Sequence, residues 1–139
     1  MKKGLIITVV LVAFLLLLAG SVSCSSDTIK ASFGEEFALP LGKTAAVGDD
    51  NLTFMFVDVI SDSRCPSGVE CIQAGEAKCS MHIVYHGAAS DVIFVQGGGN
   101  TPSFGELNSY DVMYKLEPYP EAGKEIAKSD YMLKITVKK

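Results

Sequence analysis

The chain has 139 residues, with 12 basic and 16 acidic side chains, and a single domain is the expectation at this length. Without Lys2 and Lys3, the remaining 10 basic and 16 acidic side chains give a net charge of −6. No basic run or basic–aromatic cluster occurs, which argues against nucleic acid as a partner.

The first 23 residues have the three-part layout of a secretory signal peptide. Lys2 and Lys3 form a basic start, a run that is apolar except for Thr8 extends from Leu5 to Ala19, and small residues follow it. The run is shorter than the roughly 20 apolar residues of a membrane-spanning helix. Residues 1–23 are therefore predicted to be a signal peptide, with a retained membrane anchor as the alternative. Export would place the rest of the chain where disulfides persist.

The sequence "GSVSC", Gly20 to Cys24, resembles the lipobox of bacterial lipoproteins. In that family the cysteine thiol receives a diacylglycerol and becomes the first residue of the mature chain. The resemblance implies lipidation at Cys24, a tether with the first mature residues over 24–34, and a membrane-anchored location on the extracytoplasmic side. The alternative is cleavage after Ser23 and a secreted protein with an unmodified thiol.

Residues 35–139 are predicted to form a small all-β domain. "EFALPL", Glu36 to Leu41, alternates in polarity, and its proline indicates an edge strand or a strand end. "VGDDN", Val47 to Asn51, is a predicted turn. "LTFMFVDVI", Leu52 to Ile60, is apolar on both faces and is therefore predicted to be a central strand.

A hairpin is predicted next. "AKCSMHIVY", Ala77 to Tyr85, alternates with period two, "HGAAS" turns the chain, and "DVIFVQ", Asp91 to Gln96, returns. Cys79 falls on the same face as Met81 and Ile83. Because free cysteine behaves as a small hydrophobic residue, Cys79 is predicted to be buried and unpaired.

The last part of the chain is predicted to contain two strands. Gly97 to Glu106 is a long flexible connection, Tyr110 to Pro118 is a strand, and Pro120 to Asp130 is a loop with one helical turn near Lys124 to Lys128. Tyr131 to Lys139 alternates strictly, and its lysines suit an edge strand. Roughly five to seven short strands at regular spacing predict an antiparallel β-sandwich or a barrel-like domain.

The stretch "DSRCPSGVECIQAGEAKC", Asp62 to Cys79, holds three of the four cysteines and the only arginine. A proline and a glycine between Cys65 and Cys71 favour a tight bend, which brings the two sulfurs into bonding range. In an exported protein this pattern predicts a disulfide. A metal site and free thiols are the alternatives, but the paired ligand spacing of a zinc site is missing, so neither metal nor cofactor is expected.

Two other side chains in this region are candidates for binding. Arg64 is predicted to pair with Asp62 or Asp58, or to cap loop carbonyls, because its guanidinium carries five fixed donors. Contact with a ligand is the alternative role for Arg64. Tyr119 stands between two prolines and is a candidate for contact with a partner, with a plain loop as the alternative.

"DSRCPSGVECIQAGEA" also resembles the pattern Asp-Ser-Arg-Cys-Pro, Cys, Gly-x-Ala of small uncharacterised bacterial lipoproteins and secreted domains. The resemblance covers most of Glu36 to Val137. Many of those proteins carry a tryptophan where this chain has Gln73. The resemblance implies an export-targeted β domain and implies no established activity.

No set of catalytic residues converges in the sequence. His86, Ser90 and Asp91 crowd a single turn, and His82 is expected beside His86 on one strand face as a solvated side chain. An enzyme is therefore not expected. The expected function is an envelope binding or structural module, attached to the membrane by lipid and contacting an envelope protein or peptide. The alternative is an inhibitor of secreted proteases that uses the Cys65–Cys71 loop as a wedge.

Overall fold

The computed structural model describes residues 27–49, 51–100, 102–107 and 109–139. The predicted signal peptide, residues 1–23, and Cys24 lie outside the described residues. The described part forms nine strands and one short 3₁₀ turn. The strands are β1 (Thr28–Ala31), β2 (Glu36–Pro40), β3 (Thr44–Val47), β4 (Leu52–Asp62), β5 (Glu76–Tyr85), β6 (Ala88–Gly97), β7 (Ser103–Leu107), β8 (Tyr110–Glu117) and β9 (Met132–Lys138), and the 3₁₀ turn spans Lys128–Asp130.

The strands build two sheets that face each other. The five-stranded sheet has the order β1-β3-β4-β5-β6, and the four-stranded sheet has the order β2-β9-β8-β7. All neighbouring strands are antiparallel except β1 and β3, which are parallel. The predicted all-β sandwich is confirmed, and the two sheets do not close into a barrel.

The core lies between the sheets because every second side chain of each long strand points inward. In β5 the burial alternates regularly, and Cys79, Met81 and Ile83 all face the core as predicted. Cys79 is a free cysteine. The core is completed by aromatic and aliphatic side chains from both sheets: Leu39, Ala45, Val47, Leu52, Phe54, Phe56, Ala77, Phe94, Tyr110, Val112, Tyr114, Leu116, Leu133, Ile135 and Val137.

The prediction of a central strand at Leu52–Ile60 is confirmed, since β4 is the middle strand of its sheet. The predicted hairpin is also confirmed as β5 and β6. Its turn is shorter than expected: His86 and Gly87 alone connect the strands, with φ angles of 46° and 81°. Positive φ at both central residues is the type I′ geometry that matches strand twist.

The prediction that the last strand lies at an edge is wrong, because β9 lies between β2 and β8. Its Lys134 ammonium lies 3.8 Å from a Glu36 carboxylate oxygen on β2 and 3.4 Å from one of Glu117 on β8. The lysine thus serves cross-strand pairing on an outer face rather than protection of an edge. The edge position of β2, which its proline indicated, is confirmed.

Three short strands were not anticipated. β1 lies inside the segment 24–34, predicted as a tether and the first mature residues, and all of β7 but its last residue lies inside the connection predicted as flexible. β3 precedes the predicted turn at 47–51. These strands have only four or five residues, which is too short for an alternation of polarity to stand out.

Candidate binding site: the stapled loop and its arginine anchor

The connection between β4 and β5, residues 63–75, is closed by a disulfide and is called the stapled loop below. Cys65 and Cys71 are bonded, with an S–S distance of 2.08 Å and Cα atoms 5.9 Å apart. The predicted disulfide is therefore confirmed. The loop begins where the pairing of β4 with β5 ends, at Asp62 on β4 opposite Ala77 on β5.

Arg64 fastens the base of the stapled loop to the opposite sheet. Its side chain has no exposed surface. The guanidinium forms a two-point contact with Asp62, with Nε 2.8 Å from Oδ1 and Nη2 2.6 Å from Oδ2. It also donates to the carbonyl oxygens of Leu116 at 2.7 Å and Pro118 at 3.0 Å. Both predicted structural roles, ion pairing and carbonyl capping, are therefore present in one side chain.

The carbonyl of Leu116 needs this donor because the edge strand β7 does not reach this part of β8, although β9 still pairs its other side. The last residue of β8 that β7 pairs is Tyr114, opposite Ser103. Two residues further on, the Leu116 N–H donates to the Gln96 side-chain oxygen at 2.5 Å, and its carbonyl accepts from Arg64. One side chain from β6, Gln96, and one from the stapled loop, Arg64, thus replace the strand that β8 lacks here, which satisfies buried backbone groups that would otherwise be costly.

The electrostatics of this anchor favour a fixed charge pair. Burial raises the pKa of Asp62, but hydrogen bonds and charge from Arg64 outweigh it and hold that pKa below its usual value. The Tyr131 hydroxyl donates to Asp62 Oδ2 at 3.1 Å. Burial, together with the carboxylate, raises the pKa of Tyr131 to about 12. Asp62 therefore stays ionised and Tyr131 stays neutral at physiological pH.

The other predicted partner of Arg64 is engaged elsewhere. Asp58 Oδ1 lies 2.8 Å from the Lys128 ammonium on the surface. The hydrogen bond from Lys128 lowers the pKa of Asp58. Asp62 is therefore the carboxylate that holds the arginine.

Tyr119, the second candidate for partner contact, also belongs to the anchor. Its hydroxyl lies 2.8 Å from the carbonyl oxygen of Cys65 and 3.1 Å from that of Gly98. The guanidinium carbon of Arg64 is 5.2 Å from the centre of its ring, within cation–π range. The structure thus brings Arg64 and Tyr119 together, but it places both at the base of the stapled loop.

The remaining residues of the Asp-Ser-Arg-Cys…Gly-x-Ala pattern close the loop at its exit. The Ser63 hydroxyl donates to the Glu76 carbonyl at 3.0 Å and accepts from the Glu76 N–H at 3.1 Å. Gly75 has a φ of +68°, and a Cβ there would lie 1.7 Å from the Ser63 carbonyl oxygen. Ala77 is fully buried under this junction. Each of these residue types is therefore explained by loop geometry.

The far end of the stapled loop is different, because it presents apolar side chains to solvent. Val69 is 50% exposed and Ile72 is fully exposed, at 104% of its reference area. The loop is also held from the side: the Ser67 N–H donates to the Pro120 carbonyl at 2.9 Å, and the Ala122 N–H donates to the Ser67 carbonyl at 3.1 Å. An apolar end on a firmly held base is suited to contact with another molecule.

The two histidines do not form a site. His82 Nδ1 lies 2.6 Å from Asp91 Oδ1 across the β5–β6 pair, whereas His86 lies in the turn after β5. The expectation that they share a strand face is therefore wrong. Across residues 27–49, 51–100, 102–107 and 109–139, no group of three His, Cys, Asp or Glu side chains is arranged to hold a metal.

Cys79 is chemically inert in this fold. Its side chain is buried in the core, and burial raises the pKa of its thiol to about 12. Since the thiolate is the reactive species, a neutral buried thiol is a poor nucleophile and a poor metal ligand.

Two anchor residues, Gln96 and Tyr131, were not recognised from the sequence. For Gln96 a signal existed: it continues the alternation of Val92 and Phe94, so its amide is placed on the inward face of β6. A polar side chain at an inward position needs a buried partner. Nothing local identifies that partner, since Leu116 is 20 residues away in the chain.

Among the described residues, no helix has the length and apolar character needed to cross a membrane. Comparisons of the chain with protein-family models, curated proteins and solved structures found no match.

Proposed function

We propose that the protein is an exported, lipid-anchored module of the cell envelope that binds a protein or peptide partner through the loop tip, Val69–Gln73. The observation that carries this proposal is the full exposure of Ile72 at the end of the stapled loop, beside the half-exposed Val69. A single exposed aliphatic residue on a surface is ordinary. Here two of them lie on a loop that is closed by a disulfide and is held at its base by a buried arginine.

A firmly held loop favours binding because little freedom is lost when a partner docks. Ordering a flexible side chain or loop on association costs about 0.5–1.5 kcal/mol per side chain, and a loop ordered in advance avoids much of that cost. Polar neighbours of the two aliphatic residues, Glu70 and Gln73, supply a hydrogen-bonding rim. Because the side chain of Arg64 has no exposed surface, its role in this proposal is to position the loop rather than to touch the partner.

Membrane attachment in this proposal depends on Cys24, which the lipobox resemblance singles out. Three residues lie between Cys24 and Thr28, the start of β1, so the four Cα–Cα steps from one to the other span at most about 14 Å. Each buried methylene of an acyl chain contributes about 0.8 kcal/mol, so two or three chains hold a small domain firmly. Labelled palmitate should enter the wild type. Cys24→Ala should abolish the label and release the domain from membranes, and persistent labelling of the variant would contradict lipidation.

The binding test uses the full chain in membranes with a photo-reactive residue at position 72. The matched control carries the same residue at position 60, because Ile60 is 54% exposed and lies on β4 outside the loop. The expected result is one partner captured from position 72 and not from position 60. Ile72→Asp should then abolish retention of that partner, and Ile60→Asp should preserve it. Equal retention by both variants would overturn the proposed role of the loop tip.

Protease inhibition is the second candidate function, and the closed loop with exposed aliphatic residues favours it. Such a loop suits a secreted protease whose specificity pocket takes a branched aliphatic side chain. The purified full chain should slow that protease at stoichiometric ratios, and Ile72→Asp should remove the effect. If a panel of secreted proteases keeps full activity in the presence of the chain, protease inhibition is ruled out and the binding module is the one remaining candidate.

A further inference from the structure

The free edge of β6 has a defined set of backbone groups that no strand of the described chain pairs. Tyr85 and Ala88 close the two-residue turn, so they form a hydrogen-bonded pair, and bonded pairs then alternate along the hairpin. The backbone groups of Ala89, Asp91 and Ile93, and next Val95, therefore point away from β5. The Tyr114 hydroxyl confirms this direction, because it donates to the Val95 carbonyl from the other sheet at 2.9 Å.

Compared with the other edges of the described part, β6 is unprotected. β1 and β7 have four and five residues, and β2 ends in Pro40. β6 has ten residues, pairs β5 without a register shift, and contains neither lysine nor proline. Its outer face exposes Ile93 at 58% and Val95 at 39%. A long, regular, apolar edge of this kind is a template for pairing with another strand.

We propose that this edge pairs with the β6 strand of a second copy of the chain. The two strands run antiparallel about a two-fold axis at Ile93, so that Ile93 of each copy faces its equivalent and the five-stranded sheets join into one. The axis also places Val95 of one copy opposite Asp91 of the other. Each copy thereby offers the same surface to the other, as a closed two-fold contact requires.

The chemistry of β6 favours its own copy over a foreign strand. Asp91 is the single charged residue of the strand, and it already contacts His82 of its own chain at 2.6 Å. The edge therefore has no charged side chain that needs an opposite charge from a partner strand. With the axis at Ile93, this exposed side chain meets its own apolar equivalent, and Val95 lies opposite Asp91, whose carboxylate keeps His82 of its own chain as its partner. Placing the axis at Ile93 keeps the two Asp91 carboxylates four positions apart.

The contact of Tyr114 with Val95 is compatible with this pairing. A carbonyl oxygen has two acceptor positions, so the hydroxyl leaves one position for the Asp91 N–H of the second copy. From Ala88 to Asp91 every residue is exposed, so the first half of the edge is open. With the axis at Ile93, residues 89–97 of each copy pair, and a strand of nine residues extends about 30 Å, so the ladder between copies is nearly as long as the hairpin ladder.

The test is a cross-link in the full chain within membranes of the expressing cells. Two residues that face each other in a hydrogen-bonded antiparallel pair have Cα atoms about 5.5 Å apart, a distance that a disulfide can bridge. Ile93→Cys should therefore give a covalent dimer under mild oxidation. Val57→Cys is the matched control, because Val57 is 44% exposed on the central strand β4, away from the edge. The native cysteines do not interfere differently in the two variants: Cys65 and Cys71 are bonded, Cys79 is buried, and Cys24 is the same in both, so any cross-link through it would appear equally in the Val57→Cys control.

A dimer with Ile93→Cys and a monomer with Val57→Cys supports the proposal. A monomer with both variants, equal dimer in both, or a cross-link from position 93 to a different protein overturns it.

A second measurement, sedimentation of the detergent-solubilised full chain, shows whether the cross-link merely trapped chance encounters. Wild type and Val57→Lys should sediment as dimers. Ile93→Lys should sediment as a monomer with its Cys65–Cys71 disulfide intact, because two lysines would meet on the axis. A dimer that persists in Ile93→Lys contradicts the pairing.

Discussion

Arg64 connects parts of the molecule that are distant in sequence. Its guanidinium touches Asp62 beside it and the carbonyl oxygens of Leu116 and Pro118 more than 50 positions away. For a partly exposed surface pair, a loss of about 1 kcal/mol on removal of one partner is typical. The buried geometry changes that expectation, because removal of the cation would leave a part-buried carboxylate and two carbonyls without their donor.

We expect Arg64→Ala to lower the free energy of unfolding by about 3–5 kcal/mol, the range for breaking one partner of a buried ion pair. Arg64→Lys should lower the free energy of unfolding by less than Arg64→Ala does. A lysine keeps the positive charge, but it cannot contact Asp62 and both carbonyls at once. Chemical denaturation of the two variants measures this difference. A cost of 1 kcal/mol or less for Arg64→Ala would show that the pair behaves as a surface pair.

A pH dependence follows from Asp62. Its pKa in the folded protein is lowered by Arg64, relative to about 3.9 in an unfolded chain. The stability it contributes is therefore complete above about pH 4–5 and is lost as the pH falls through the folded pKa. We expect the wild type to lose stability on acidification, and Asp62→Asn to be less stable at neutral pH with a shallower loss in acid. Denaturant midpoints between pH 2 and 7 measure both slopes.

Asp58→Asn is the control for this titration. The pKa of Asp58 is also lowered, by Lys128, but the pair lies on the surface. Solvent and salt screen such pairs, so its removal should change the acid slope little. A larger change for Asp58→Asn than for Asp62→Asn would contradict the assignment of the anchor.

At the scale of elements, the stapled loop combines two kinds of restraint. The disulfide closes a short ring within the loop, while hydrogen bonds from Ser67 to Pro120 and from Ala122 to Ser67 tie the ring to the segment after β8. The disulfide acts mainly on the unfolded chain, by limiting its freedom. The hydrogen bonds act on the folded state, so the loop should keep its position even when the disulfide is absent.

We expect Cys71→Ser to lower the free energy of unfolding by about 2 kcal/mol, the chain-entropy value for so short a ring. For a domain of this size the melting temperature should fall by several degrees. Reductant should lower the melting temperature of the wild type by a similar amount and leave the variant unchanged. The effect should be smaller than that of Arg64→Ala, and the opposite order would contradict the structural ranking.

The elements also show what the sequence could predict. β4, β5, β6, β8 and β9 were predictable because six or more residues of each carry an apolar or alternating pattern themselves. The place of β9 in its sheet was not predictable, because its neighbouring strands contact it through residues distant in the sequence, such as Glu36 on β2 and Glu117 on β8. The disulfide was predictable from a local bend. The rest of the anchor was not, since Gln96 and Tyr131 meet it only through tertiary contacts.

At the scale of the whole molecule, the four-stranded sheet depends on the end of the chain. β9 is paired on both sides, with β2 from the start of the domain and with β8 from its last third. Leu133, Ile135 and Val137 of β9 are fully buried in the core. Without β9, β2 loses its paired neighbour and the sandwich loses the centre of one layer.

We expect a chain that ends at Tyr131 not to fold, whereas a chain that lacks Lys139 alone should fold normally, because Lys139 follows the last strand residue. The buried thiol of Cys79 gives a direct measurement. It should resist alkylation in the wild type and in the chain without Lys139, and it should react rapidly in the chain that ends at Tyr131. A protected Cys79 in the shorter chain would show that the five-stranded sheet and its cover persist without β9.

The central place of β9 also determines the order in which the two sheets can form. All strands of the five-stranded sheet precede residue 98, whereas the opposite sheet cannot close until the seven residues of β9 arrive. A chain that emerges with its N-terminus first, from a ribosome or from a membrane pore, therefore exposes the apolar inner face of a finished layer until the residues of β9 are released. During that interval the fold itself does not protect this apolar face from aggregation.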